Sequence, residues 1–316
     1  MQEVFKFKRI NKLSTNQLYE NEDICLSKAI ELFEVSSCGE LTKMLDEMCP
    51  EKRALPWEYR RAYRIKHLSD FEKAQYYDLY STAILDDGRK QLQLLRKVLA
   101  RLAYAFYDEP LEVLDVGTGR GGFFASLQKS NFFPNARFEG LDIDMASLLI
   151  NLKLNEELKN NDFLLTCYNG DELPFNDYSY DLITSFCTLE HVGDFERQVK
   201  FLNECYRCLK LNGVAILTFP NRFSFIMPEE HVKLWFLGFI PRKFKDNVSY
   251  KMCGMPSSDI YPLNIFILRK VLNKMYGCNY ELFCYTEFHS NKLIRLVARN
   301  YIYKMFGPGY VLAIIK

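Results

Sequence analysis

The chain has 316 residues, 48% of them hydrophobic and 26% charged, which is enough apolar material for one large domain with an appendage or for two modest ones. Lys and Arg number 41 against 40 Asp and Glu, a formal net charge of +1, so there is no global polyanion-binding field and nucleic acid is not implied as a partner. The ten cysteines are scattered through predicted helices and strands rather than set at short loop spacings, a usage that argues for reduced cytosolic thiols and against a stapled secreted domain.

The opening MQEVFKFKRINKLSTNQLYENED holds no apolar stretch long enough for a signal peptide, and no segment reaches the apolar length of a transmembrane helix. A cytoplasmic location is the expectation. Residues 1–109 read as helices separated by short polar breaks, without an alternating apolar run of strand type and with Pro50 and Pro56 as punctuation. They are expected to form a helical cap on the substrate side. FEKAQYYDLYS places Tyr76, Tyr77 and Tyr80 on one helix, and Asp86–Phe106 sets Leu92, Leu95, Val98, Leu99 and Leu102 at helical spacing before Pro110.

Beyond Pro110 strands and helices alternate: LEVLDV strand, GGFFASLQKS helix, ARFEGLDI strand, MASLLINLKLNEEL helix, FLLTCY and YDLITSF strands, FERQVKFLNECYRCLK helix, GVAILTF strand. This rhythm predicts an α/β domain over 110–316, built on a parallel sheet with helices on its faces. After Phe219 come about forty irregular residues rich in aromatics, of which 223–262 are expected to form a lid-like insertion. A helix near Asn264–Met275, the strand YELFCYTE, a basic helix near Asn291–Phe306 and the strand GYVLAIIK follow. HVKLWFLGFIPRKFKDN and NKLIRLVARNYIYKMF mix aromatic, aliphatic and basic residues. Burial of their apolar faces in the core is the default reading, with a lid, a membrane-surface patch or a partner interface as alternatives.

Between the first strand and the next helix stands VLDVGTGRGG, Val113–Gly122. Its glycines let the backbone turn sharply and approach a ligand, and the helix N-terminus behind them offers free N–H groups. Asp142 follows Gly122 by about the spacing at which a carboxylate accepts ribose hydroxyls. Dinucleotides and adenosyl compounds both suit these features. Asp115 separates them, because a negative charge there repels a pyrophosphate and suits a ligand carrying an ammonium and a sulfonium.

With Asp115, Val116, Gly117, Gly119 and Gly121 the stretch resembles the acid, apolar residue and G-x-G-x-G motif of the class I S-adenosylmethionine-dependent methyltransferases. NGDELPFNDYSYDLITSFCTLEHV (Asn169–Val192) resembles that family's third and fourth strand region, and ECYRCLKLNGVAILTFPNR the helix, turn and fifth strand after it. The resemblance covers roughly Leu111 to Arg222. It implies a Rossmann-like sheet, mostly parallel, of seven strands with the last antiparallel, and S-adenosyl-L-methionine as cofactor. It also implies that Asp115, Gly117, Thr118, Gly119, Gly121, Asp142, Asp171 and Glu172 hold the donor, Asp171 at the adenine amino group, with Ile143 packing on the adenine. Arg120 is a further candidate; helix packing is the leading reading of the tyrosines of FEKAQYYDLYS, with closure of one of them over the donor's carboxylate, as in relatives with an N-terminal tyrosine, as the alternative.

The implied reaction is methyl transfer to an O or N nucleophile of a small-molecule, lipid-linked or glycan acceptor, which needs in-line alignment, exclusion of water and, for some acceptors, a base. Glu190 and His191, at the tip of the fourth strand, are the catalytic candidates, His191 as proton acceptor or as a hydrogen-bond donor to a backbone carbonyl. CTLEH and the later HVKLW also resemble the E-x-x-E-H and downstream histidine with which ubiquinone-pathway O-methyltransferases and small-RNA 2′-O-methyltransferases bind a divalent metal. Cys187 replaces the first glutamate, leaving Glu190, His191 and His231. A soft thiolate in place of a hard oxygen undermines a magnesium-type site, and no metal is expected. Cys205 and Cys208, one helical turn apart without a second pair, read as core residues. The alternatives are a non-catalytic S-adenosylmethionine-binding scaffold subunit, an RNA 2′-O-methyltransferase and, on the formal G-x-G-x-x-G string alone, an NAD-dependent oxidoreductase.

Overall fold

A computed structural model describes residues 5–7, 33, 37–47, 68–106, 110–160, 163–168, 170, 172–229, 232–254, 260–275 and 277–316. The chain divides into two compact units, Met1–Gln93 with Thr118–Asn169, and Leu94–Gly117 with Gly170–Lys316. Helix α3 (Tyr80–Leu102) starts six residues before the expected segment and buries the predicted stripe of Leu92, Leu95, Val98 and Leu99.

The first unit holds strands β1 (Phe5–Phe7), β3 (Arg137–Asp142) and β4 (Phe163–Cys167), and helices α1 (Cys38–Glu47), α2 (Asp70–Asp78), α4 (Gly122–Lys129) and α5 (Met145–Glu157). β3 and β4 run parallel from Phe138↔Phe163 to Asp142↔Cys167. β1 pairs antiparallel with β4, Phe5 opposite Cys167. This strand corrects the all-helical reading of the N-terminal region. Three residues are too short to register as an alternating pattern, yet they satisfy backbone groups along the open edge of β4.

Helix α2 begins with a capping box, in which the Ser69 hydroxyl accepts the Glu72 amide while the Glu72 carboxylate accepts the Ser69 amide. Helix α5 starts on Asp144, whose carboxylate accepts the Ala146 amide at 3.1 Å. It is buried almost all round, with Asn151 and Asn155 among its inward residues. Phe124 of α4 meets Phe138 and Phe163 edge to face, anchoring that helix to the sheet.

The second unit holds β2 (Glu112–Val116), β5 (Tyr180–Phe186), β6 (Leu209–Pro220), β7 (Asn279–Cys284) and β8 (Gly309–Ile315), in the order β2-β5-β6-β8-β7. β2, β5 and β6 are parallel, in register at Val113↔Leu182 and Leu182↔Val214. β8 is antiparallel to both β6 and β7. β5 and β8 are buried along nearly their whole length, as strands covered on both faces should be. The seven expected strands are therefore present, with the last antiparallel.

Helices α6 (Phe195–Cys208), α7 (Arg242–Cys253), α8 (Ile265–Leu272), α9 (Lys292–Ala298) and α10 (Tyr301–Phe306) complete this unit. Cys205 and Cys208 are buried on α6, and burial pushes the Cys208 thiol up to about 11. Helix α7 corrects the irregular reading of the segment after Phe219. It starts on Pro241 and stops at Gly254, which takes φ 73, the usual proline and glycine punctuation. The single basic helix expected near 291–306 is two, because Asn300 leaves the helix and accepts the Ile302 amide to start the second. Nor are their apolar faces buried: Leu293 is 71% exposed and Ile302 67%. No helix among the described residues is long and apolar enough to cross a membrane.

Candidate active site

In the first unit the glycine turn is tied to the end of β3. The Gly119 amide donates to Asp142 Oδ2 at 2.7 Å, the Asp144 amide donates to Oδ1 at 2.9 Å, and the Thr118 amide donates to the Leu141 carbonyl. Burial pushes the Asp142 carboxyl from 3.8 up to about 7, against the lowering effect of the Asp144 and Gly119 amides. Gly119 and Gly121 take φ 53 and 83, which residues with a Cβ adopt at a cost of about 1–2 kcal/mol. A Cβ on Gly121 would also run into the Asn151 side chain, and one on Gly122 into the Ile84 carbonyl. Gly121 caps α4 with no side-chain hydrogen bond, so the helix opens on bare amides. Ile143, beside Asp142, is 40% exposed and offers an apolar face next to the carboxylate.

Behind the turn stands a group that sequence reasoning missed. Asn151 Nδ2 donates to Thr118 Oγ1 at 3.3 Å and to the Gly119 carbonyl at 3.4 Å, Asn155 Nδ2 donates to Asn151 Oδ1, and Asn160 Nδ2 donates to Asn155 Oδ1. Thr118 is thus a brace for the turn. The available signal was a pair of asparagines four residues apart on a largely apolar helix. Arg120 donates to the Tyr80 hydroxyl and lies over its ring, bringing together two residues singled out separately from sequence.

In the second unit Asp115 is buried at the end of β2 and accepts the Thr184 hydroxyl at 2.7 Å. Gly117 takes φ 75, and a Cβ there would strike Thr188. Past β5 the chain turns through Cys187, a non-glycine residue at φ 53, whose amide donates to the Thr218 carbonyl at 2.8 Å. A single helical turn, Leu189–His191, follows, with the Glu190 side chain fully buried and His191 half-buried. Among the bonds that hold this turn are the Tyr261 amide to the Glu190 carbonyl at 2.8 Å and Gln198 Nε2 to the Leu189 carbonyl at 3.3 Å. Glu172 forms an ion pair with Lys200 at 3.3 Å. Asp171 and His231 lie outside the described residues.

The donor set fits S-adenosylmethionine. A buried carboxylate stands beside glycines whose positive φ brings bare backbone to the turn, an exposed isoleucine adjoins it, and the one basic side chain of the turn is engaged by Tyr80.

Residues 114–217 match the methyltransferase domain family. The chain is 41% identical over 57 residues to a probable S-adenosylmethionine-dependent methyltransferase of Mycolicibacterium smegmatis, a match covering 18% of this chain and 21% of the relative. It is 35% identical over 117 residues to an uncharacterised protein of Methanocaldococcus jannaschii, covering 37% and 44%. A Haemonchus contortus phosphoethanolamine N-methyltransferase structure superposes with a TM-score of 0.47 at 16% identity, covering 79% of this chain and 61% of that one. The chain spans less than half the length of the two curated relatives. Residues 114–217 are a class I S-adenosylmethionine-dependent methyltransferase domain.

Proposed function

We propose that the whole chain is an S-adenosylmethionine-dependent methyltransferase that moves a methyl group to an O or N nucleophile of a small-molecule, lipid-linked or glycan acceptor. The observation that carries this reading is the buried Asp142 carboxylate held by the Gly119 amide at 2.7 Å beside the glycine turn. In this reading Asp142 accepts the donor's ribose hydroxyls, Ile143 packs on its adenine, and Gly117, Gly119 and Gly121 let bare backbone approach it. Asp115 contributes negative charge suited to a cationic donor, and Asp171 and Glu172 are proposed at the adenine side.

Bound donor supplies a sulfonium methyl that is already electrophilic. The chain's task is then to hold the acceptor in line, exclude water and take up a proton where the acceptor has one to lose. His191, half-buried on its short turn, is the proposed proton acceptor, and Glu190, buried beside it on the same turn, is the second proposed catalytic residue. The lid role of 223–262 and the cap role of 1–109 belong to the same proposal. The test is thermal unfolding with S-adenosylhomocysteine or NAD. Ligand at a hundred times its Kd adds about 2.7 kcal/mol, so the reading expects a rise of several degrees with the first and none with the second, and the reverse would favour an oxidoreductase.

A further inference from the structure

Arg222, Arg242 and Lys245 converge on a cavity of about 130 Å3 in the second unit, which none of the roles above uses. That is roughly ten times the space a single water requires, so the cavity takes a group of several heavy atoms. Its basic lining is unusual in three respects. Lys245 is only 3% exposed. Arg222 is half-buried, its Nε donates to the Gly238 carbonyl at 2.8 Å, and it has no ion-pair partner among the described residues. The Arg242 guanidinium carbon stands over the Tyr261 ring, 3.4 Å from its centre, a cation–π contact that positions the group.

The helix end adds to this charge. Arg242 and Lys245 both stand in the first turn of α7; that turn holds no acidic residue, Asp246 following it, and Pro241 provides no side-chain cap. Cations at a helix N-terminus oppose the macrodipole, whereas an anion there is stabilised by the dipole and by the open amides. Burial, and after it the neighbouring Arg242 charge, press the Arg222 guanidinium toward losing its proton.

The cavity wall is also continuous with the turn that carries the catalytic candidates. Tyr261 lines the cavity and donates its amide to the Glu190 carbonyl, and Gln198, another lining residue, bonds both the Tyr261 and the Leu189 carbonyls. We propose that this cavity seats an anionic group of the acceptor, a phosphate ester or a carboxylate, held by Arg222, Arg242 and Lys245 beside the Leu189–His191 turn. The word acceptor rests on the methyltransferase reading, and the binding of an anion does not.

The experiment is ligand-observed NMR on the full chain with phenyl phosphate, benzoate and benzyl alcohol, in parallel with calorimetry of S-adenosylhomocysteine. Phenyl phosphate, benzoate or both should bind saturably, and the stronger of the two names the anion. Benzyl alcohol should bind at least tenfold more weakly. Arg222→Gln and Arg242→Gln should each weaken anion binding tenfold or more, while Lys243→Gln, which removes the same charge from outside the cavity, should not. Arg222→Lys, keeping charge and bulk, serves if Arg222→Gln does not fold, and should lose part of the affinity. Equal binding of the neutral probe, or unchanged affinity in the folded arginine variants, overturns the site. If S-adenosylhomocysteine fails to bind while the anions do, the methyltransferase reading falls and the anion site stands.

Discussion

The Gly119 amide reaches the Asp142 carboxylate at 2.7 Å, so the glycine turn and the acid that ends β3 are one hydrogen-bonded device. Its protonation follows from burial. The folded carboxyl keeps its proton up to about 7, while the unfolded chain loses it near the ordinary value of 3.8. Between those values the folded state binds more protons, so this group's contribution to stability is greatest below the lower value and declines as pH rises toward 7. Ribose hydroxyls donate to the ionised form, which gives donor binding the opposite slope. Affinity for S-adenosylhomocysteine should rise up to about tenfold per pH unit below 7 and level off above it. Calorimetry from pH 5.5 to 8.5 measures this, and a flat profile would remove Asp142 from the donor's contacts.

Gly117 and Gly277 share φ 75, but a Cβ at Gly117 strikes Thr188 while one at Gly277 meets nothing within 4 Å. Gly277→Ala should therefore cost the backbone strain alone, about 1 kcal/mol. Gly117→Ala should cost at least twice as much. Urea unfolding of the two variants makes the comparison, and equal losses would show that Thr188 yields freely.

Asn151 holds both Thr118 and the Gly119 carbonyl from a fully buried position, whereas Asn160 ends the ladder half-buried. Removing a buried partner costs about 1–3 kcal/mol. Asn151→Ala should lose that much stability and weaken S-adenosylhomocysteine binding severalfold. Asn160→Ala should lose less than half of it with binding intact. The reverse order would mean that the ladder does not support the turn.

His191→Ala should leave the Kd of S-adenosylhomocysteine within twofold of wild type and slow methyl transfer by about 10²-fold or more, the usual loss for a positioned base. Turnover unchanged with any productive acceptor would return His191 to a structural role.

The glycine turn, Asp142 and the strand rhythm were legible in sequence because each follows from local rules, positive φ at glycine and a change of period from 3.6 to 2. The Asn151–Asn155–Asn160 ladder was not, since its function depends on which loop the helix packs against, and polar residues on a buried helix have no local signature. Helix α7 was hidden by aromatics that blur its period, although Pro241 and Gly254 marked both its ends. The convergence of Arg222 with Arg242 and Lys245 is tertiary, because the first two stand twenty positions apart in the chain. The exposure of Leu293 and Ile302 likewise depends on whether a neighbouring element covers them.

The most direct test of the account is calorimetric titration of S-adenosylhomocysteine into the full chain and into Asp142→Ala at pH 8. The account predicts saturable binding of one ligand per chain by the wild type and loss of at least a hundredfold in affinity in the variant. No binding by the folded wild type, or equal binding by both proteins, would contradict it.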